Sequence, residues 1–228
     1  MFDRIFRPLA TFLFVSALTG VLVTSVAADA HTDFAVTDVD DIPFFTNFQA
    51  PGGVPTLGYP VSRRFEYKGF TNQAFQKAIL QWQPDSSSIN FLNVYDEPSG
   101  LGKDPELEAS KLTPPSRDWS GDVGLEWAAV VLRHLAVLDE TPAIKTAFLS
   151  DSDWLNHYGL PMAYEDLGDV RVMRAQRAVF QQWVIEVPWA SAGQVVVANG
   201  GDIAKDLGLF RAAAGVPHAS TDSLAVVS

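Results

Sequence analysis

The spacing of apolar residues along this chain changes several times, and each change marks an expected element. Val170 and Val172 alternate with polar neighbours, while Val179-Phe180, Phe70 and Ile79-Leu80 are short apolar stretches beside turn residues, so each predicts a short strand. Val184-Ile185-Glu186-Val187 and Gln194-Val195-Val196-Val197 read as further strands. The period becomes helical in between. Leu125, Ala128, Val131, Leu132, Leu135 and Leu138 recur every three or four positions. Trp127 and Val130 widen that face, Ser120 or Asp122 can cap it, and so broad an apolar stripe predicts a helix central to the fold. A second short helix is expected near Ala143–Leu149, opened by Pro142. Asn199-Gly200-Gly201-Asp202 reads as a turn, with Asp202 capping a short helix that Gly208 ends. Residues 97–120 hold Pro98, Gly100, Gly102, Pro105 and Pro114-Pro115, which predicts a loop-like insert.

The chain also resembles itself. Gly58-Tyr59-Pro60 is followed by Gln76-Lys77-Ala78-Ile79-Leu80-Gln81-Trp82, and Gly159-Leu160-Pro161 by Gln176-Arg177-Ala178-Val179-Phe180-Gln181-Gln182-Trp183. Lys68-Gly69 and Gly168-Asp169 supply turns between the paired motifs. This pattern predicts two diverged units near residues 50–95 and 154–198. In each, Gly permits a backbone conformation other residues resist, and Pro two positions later fixes φ and stops strand pairing. Gln-Lys/Arg-Ala is expected as a tight connection between strands, with Ala78 and Ala178 buried. Trp82 and Trp183 are expected to cap each unit's core. The fold class that follows is α+β: short β-hairpins with Gly-x-Pro turns, in two units around a central apolar helix.

Charge and composition narrow the functional classes. Arg4 and Arg7 precede an uncharged run from Pro8 to Val26, and Ala28-Asp29-Ala30 follows with a small-x-small pattern, so residues 1–30 read as a secretory signal peptide. Retention of that run as an anchor is the alternative, since a span needs ~20 apolar residues; after cleavage no membrane segment is expected. Residues 31–43 read as a flexible acidic lead-in and 211–228 as a flexible tail, bounding one globular domain over 44–210. The net charge of −11 argues against nucleic acid, whose binders present cationic surfaces. Zero Cys rules out disulfides and thiolate metal sites, so an exported fold must rest on packing, which 47 % hydrophobic and 11 % aromatic residues can supply.

Catalytic signatures are missing. There is no Gly-x-Ser-x-Gly elbow and no His-Glu-x-x-His, and so few histidines, four, argue against a zinc site; no metal or cofactor is expected. His134, in the apolar helix, reads as a core histidine bonded through its ring nitrogens. His157 directly precedes the second Gly-x-Pro among polar loop residues and is the histidine to test first. Asp151 with Asp153, Glu165 with Asp166, and Asp96 with Glu97 are carboxylate pairs of the kind a glycosidase uses, though an acidic chain produces such pairs by composition alone.

Leu57-Gly58-Tyr59-Pro60, preceded by Gly52-Gly53-Val54-Pro55, resembles the LGFP repeat of bacterial cell-envelope proteins, which also carries a Gly-x-Pro turn followed by a Gln and aromatics. Phe75-Gln76-Lys77-Ala78-Ile79-Leu80-Gln81-Trp82 is similar to the aromatic–x–Arg/Lys–Ala segment of related surface modules. The resemblance covers about 50 of the 228 residues. Its second copy keeps Gly159 and Pro161 but has Tyr158 where the first has Leu57. Gly58, Pro60, Gln76, Ala78, Gly159, Pro161, Gln176 and Ala178 match as scaffold positions. What the resemblance implies is a non-catalytic exported module of the cell envelope, with cell-wall polysaccharide or another envelope protein as partner. Trp82, Trp183, Trp189, Tyr59 and His157 are the candidate ligand contacts. The other expectations are an exported, carboxylate-dependent polysaccharide hydrolase and an acidic protein-interaction module.

Overall fold

The computed structural model describes residues 34–217, so the expected signal peptide and the end of the tail lie outside the described residues. In chain order the elements are β1 (Asp38–Val39), β2 (Ile42–Pro43), α1 (Phe44–Gln49), α2 (Val54–Leu57), β3 (Phe65–Tyr67), β4 (Phe70–Ala74), β5 (Ile79–Gln83) and β6 (Ser88–Phe91). There follow α3 (Asp96–Gly100), α4 (Asp104–Lys111), α5 (Trp127–Leu135), α6 (Pro142–Leu149) and α7 (Trp154–His157). The chain continues through β7 (Pro161–Asp166), β8 (Val170–Ala175), β9 (Val179–Trp183), β10 (Val195–Val197) and α8 (Gly200–Asp206). Two antiparallel four-stranded meanders, β3-β4-β5-β6 and β7-β8-β9-β10, dominate this α+β architecture.

Strand alternation sends side chains to opposite faces of each sheet and so divides the core into three. One face of the first sheet, with Leu80 buried and Trp82 half-buried, packs on Phe44, Phe48 and Leu57. One face of the second, with Met173 and Phe180, packs on Leu138, Ile144 and Phe148. The remaining faces contribute Ile79 and Ala74 from the first sheet and Val172, Val179 and Trp183 from the second to a shared core. Trp82 and Trp183 consequently do not do the same job. Trp183 lies one residue further from its Gln181 than Trp82 does from Gln81, and one residue reverses the face.

The same hydrogen bonds recur in the two sheets. Tyr59 and Leu160 donate their N–H groups to Gln76 Oε1 and Gln176 Oε1, each at 3.0 Å. Phe75 N–H bonds to the Ala78 carbonyl and Ala175 N–H to the Ala178 carbonyl, each at 2.8 Å, closing the tight turn with both alanines buried. Gly58 (φ +76°) and Gly159 (φ +72°) sit against the side chains of these glutamines: a Cβ on either would lie 2.6 Å from Gln76 Cβ or 2.8 Å from Gln176 Oε1. Beyond the last strand of each sheet the chain then crosses over. Tyr95 N–H donates to the Gln176 carbonyl of the second sheet's turn (3.2 Å), and Gly201 N–H to the Gln76 carbonyl of the first (2.9 Å).

Several expectations change. Residues 34–43 are ordered rather than a flexible lead-in: Phe34 is buried, β1 pairs with β2, and Asp38 accepts bonds from the Phe45 and Thr46 backbone at 2.6 and 3.1 Å. Residues 212–215 form a 3-10 turn, and Arg63 N–H donates to the Ala214 carbonyl, so order also extends into the expected tail. The insert is not loop alone; it contains α3 and α4, with Pro98 and Leu107 buried. The expected central helix is peripheral. It is broken into 3-10 turns on either side of α5, and Leu125 and Leu132 are exposed, the latter by 69 %. The residue α5 buries is His134, which bonds the Pro161 carbonyl (2.6 Å) and Asp122 (2.8 Å) and stacks on Trp119. Asp122 is occupied there and does not cap α5. Val184–Val187 is not a strand; only Val187 forms an isolated bridge, to Ala190. Finally, α8 begins at Gly200 behind Asn199, so Asp202 lies inside the helix.

Candidate functional site

Edge strand β6 and α7 meet where the two halves of the molecule touch, and two depressions open there. Asn47, Ala50, Pro51, Leu80, Ile89, Phe91, Asp153, Asn156 and His157 line one, of about 250 Å³. Gln81, Gln83, Asn90, Leu92, Asn93, Glu97 and Arg177 line the other, of about 370 Å³, together with Phe91 and Asn156. These last two residues border both depressions, which open on opposite faces of the first sheet at its β6 edge: Leu80, Ile89 and Phe91 face the first, and Gln81, Gln83 and Asn90 face the second, an amide-lined groove. Its wall is assembled from three sources: β5 and β6, the chain leading into α3, and the turn and short helix of the second half.

The wall of this second depression is built mainly of carboxamides. Gln83 Nε2 donates to Gln81 Oε1 (2.7 Å), Gln81 Nε2 to Asn72 Oδ1 (3.0 Å), and Asn72 Nδ2 to the Phe70 carbonyl (2.7 Å). Its two ionic groups are already engaged. Glu97 Oε2 accepts from Tyr67 OH and Lys68 Nζ, both at 2.6 Å. Arg177 donates to Asn93 Oδ1 (2.7 Å) and to the Leu155 and Asn156 carbonyls (3.1 and 2.6 Å). Burial lowers the Arg177 pKa, with nearby Asp96 opposing that shift.

His157 stands in the first depression, on the other side of β6. Its Nδ1 is 2.6 Å from Asp151 Oδ2, its Nε2 is 3.6 Å from Asp153 Oδ2, and its ring meets Phe91 edge-on at 5.1 Å. Burial works to raise the Asp151 pKa, but hydrogen bonds from His157, the Asp153 N–H and Tyr158, with the histidine's charge, outweigh it and hold the carboxyl below its ordinary range. Burial first, and the Asp151 carboxylate second, push the Tyr158 hydroxyl up to about 12. Both His157 nitrogens face carboxylates, an arrangement that fixes the ring and gives it no hydroxyl to activate.

Of the candidate ligand contacts only His157 lines either depression, and it lies in the first. Trp183 is buried and packs edge-on against Trp189, which is 63 % exposed. Trp82 is half-buried on the sheet face opposite the amides, and half-buried Tyr59 has its backbone N–H bound by Gln76. Of the carboxylate pairs, Asp96 with Glu97 is divided. Asp96 lies 3.9 Å from buried Arg174, its pKa raised by burial against that arginine's charge, while Glu97 faces the groove. Among the described residues no cluster of His, Asp and Glu is placed to hold a metal ion.

Sequence reasoning missed the amide row. Its members stand in register across three strands, Asn72 opposite Gln81 and Gln81 opposite Asn90, and β-alternation at Gln81 and Gln83 was the one signal that could have found it. No protein-family model, curated protein or solved structure matches this chain.

Proposed function

We propose that this chain is a non-catalytic, exported module of the bacterial cell envelope. Two diverged copies of one Gly-x-Pro unit make up its body, and cell-wall glycan binds in the groove between them. The recurrence of the Gly–Gln turn bonds and of the crossing-over connections in both sheets supports the two-copy reading. One observation carries the binding reading. The groove at the junction is lined by Gln81, Gln83, Asn90, Asn93 and Asn156, with Glu97 paired to Lys68 and the Arg177 donors taken by Asn93 and the Leu155 and Asn156 carbonyls. Carboxamides suit a polyhydroxylated ligand, since each amide offers both a donor and an acceptor.

The test is co-sedimentation of the purified, processed protein with insoluble peptidoglycan. Retention in the pellet, reversed by excess soluble glycan, is expected. Full recovery in the supernatant would overturn envelope binding, and release of new reducing ends would replace the binding module with a hydrolase.

A further inference from the structure

The two sheets differ at one set of matching positions. Across β4, β5 and β6 the residues in register are Asn72, Gln81 and Asn90; across β8, β9 and β10 they are Val172, Gln181 and Val196. Two positions beyond the shared glutamine, Gln83 stands in the first sheet and Trp183 in the second. The connections that follow differ in the same sense. Residues 84–87 join β5 to β6 directly, whereas residues 184–194 join β9 to β10 and fold Val187 and Ala190 into the shared core with Trp183. The second sheet therefore shows that this strand arrangement forms with valines and a covered face. Strand pairing does not demand the amides of the first.

The amide row is also directional. Each bond runs inward, from Gln83 to Gln81 to Asn72 to the Phe70 carbonyl. Gln83, at the outer end, commits an N–H to the row, and its Oε1 is left as an acceptor at the groove. Exposed Asn90 adds a second amide on the same wall. Glu97 is paired with Lys68 and Tyr67, the Arg177 donors are taken by Asn93 and two backbone carbonyls, and the net charge of −11 repels polyanions at long range.

We infer that the groove selects an uncharged saccharide, whose hydroxyls donate to Gln83 Oε1 and the Asn90 amide. This inference rests on the glycan-binding reading above and assigns the selecting amides, Gln83 and Asn90, to the first copy, while Asn156 and Arg177 of the second complete the wall.

The test titrates the full processed protein by calorimetry against three oligosaccharides of equal length: an uncharged N-acetylglucosamine tetramer, its cationic de-acetylated form and an anionic galacturonate tetramer. The uncharged tetramer should bind at least tenfold tighter than either charged one. Gln83→Leu and Asn90→Leu should each weaken it about tenfold, the effect of one lost ligand hydrogen bond, with unchanged thermal unfolding. Trp189→Ala, on the second copy, should leave it unaltered. Equal affinity for all three, or a preference for a charged one, overturns the ligand class. Unaltered binding by Gln83→Leu and Asn90→Leu overturns the site. Co-sedimentation of the wild type with peptidoglycan is read separately. Its persistence alongside either negative result sinks this inference while sparing the envelope reading, and its absence sinks that reading.

Discussion

At the scale of single residues, a few side chains hold positions that no near substitute can fill. Gly159 has φ +72° and no room for a Cβ beside Gln176. Gly159→Ala should lower stability by about 2 kcal/mol or more in urea unfolding, combining the left-handed backbone cost with overlap onto Gln176. Arg174 is wholly buried, bonded to Asp104, Ser99 and the Tyr95 and Pro114 carbonyls. Arg174→Ala, measured the same way, should cost about 3–5 kcal/mol, because it strands buried acceptors and a carboxylate. The glycine could be read from its Gly-x-Pro context. The arginine could not, since Ala74 occupies the matching place in the first sheet and the insert that Arg174 secures is visible only in three dimensions.

Asp151 adds a pH dependence. Its pKa in the fold lies below the ordinary value of about 3.9. The native state thus binds fewer protons there than the unfolded chain, and the stability this provides is complete above that ordinary value. It is lost as pH falls through the folded value. Acid titration of the melting temperature should show a decline below about pH 4 that Asp151→Asn makes shallower. An identical acid limb in both proteins would show that the His157 contact contributes nothing.

Elements were legible where local chemistry sufficed and illegible where burial decided. The hairpin turns, Pro142 at the start of α6 and the buried Ala78 and Ala178 follow from conformational preference and tight spacing. The amphipathic stripe from Leu125 to Leu138 is real as a pattern, but its period cannot say whether a partner covers it. In the fold α5 turns His134 inward, held by Asp122, the Pro161 carbonyl and the Trp119 ring, and leaves Leu132 outside. Leu132→Gln should therefore change the unfolding midpoint by an amount equivalent to less than about 0.5 kcal/mol, against 2–5 for truncating a leucine that was truly core. At the two depressions only His157 was legible. The amide row depends on strand register, and polar residues within a predicted strand carry no signature until their neighbours across the sheet are known.

For the molecule as a whole, the crossing-over of the two halves makes a specific demand. The turn carbonyl of Gln76 is satisfied by N–H groups of Gly201 and Asp202, and that of Gln176 by Tyr95. The shared core draws Ile79, Val94 and Tyr95 from one half and Val172, Val179, Ile203 and Ala204 from the other. Either half alone would expose that core and leave its turn unpaired, losing more than a marginally stable domain can spare. Dividing the chain at exposed Gly102, into residues 34–102 and 103–217, should give two fragments with no cooperative thermal transition when purified apart. Mixed at equal concentration, they should associate and recover one, since the cut falls in a loop and every crossing contact can re-form between chains. A single fragment that melts cooperatively alone would show instead that each unit is a domain in its own right. The groove between the units would then be a flexible interface rather than a preformed site, and Asn156 and Arg177 would no longer be held against the amide row proposed to recognise an uncharged saccharide.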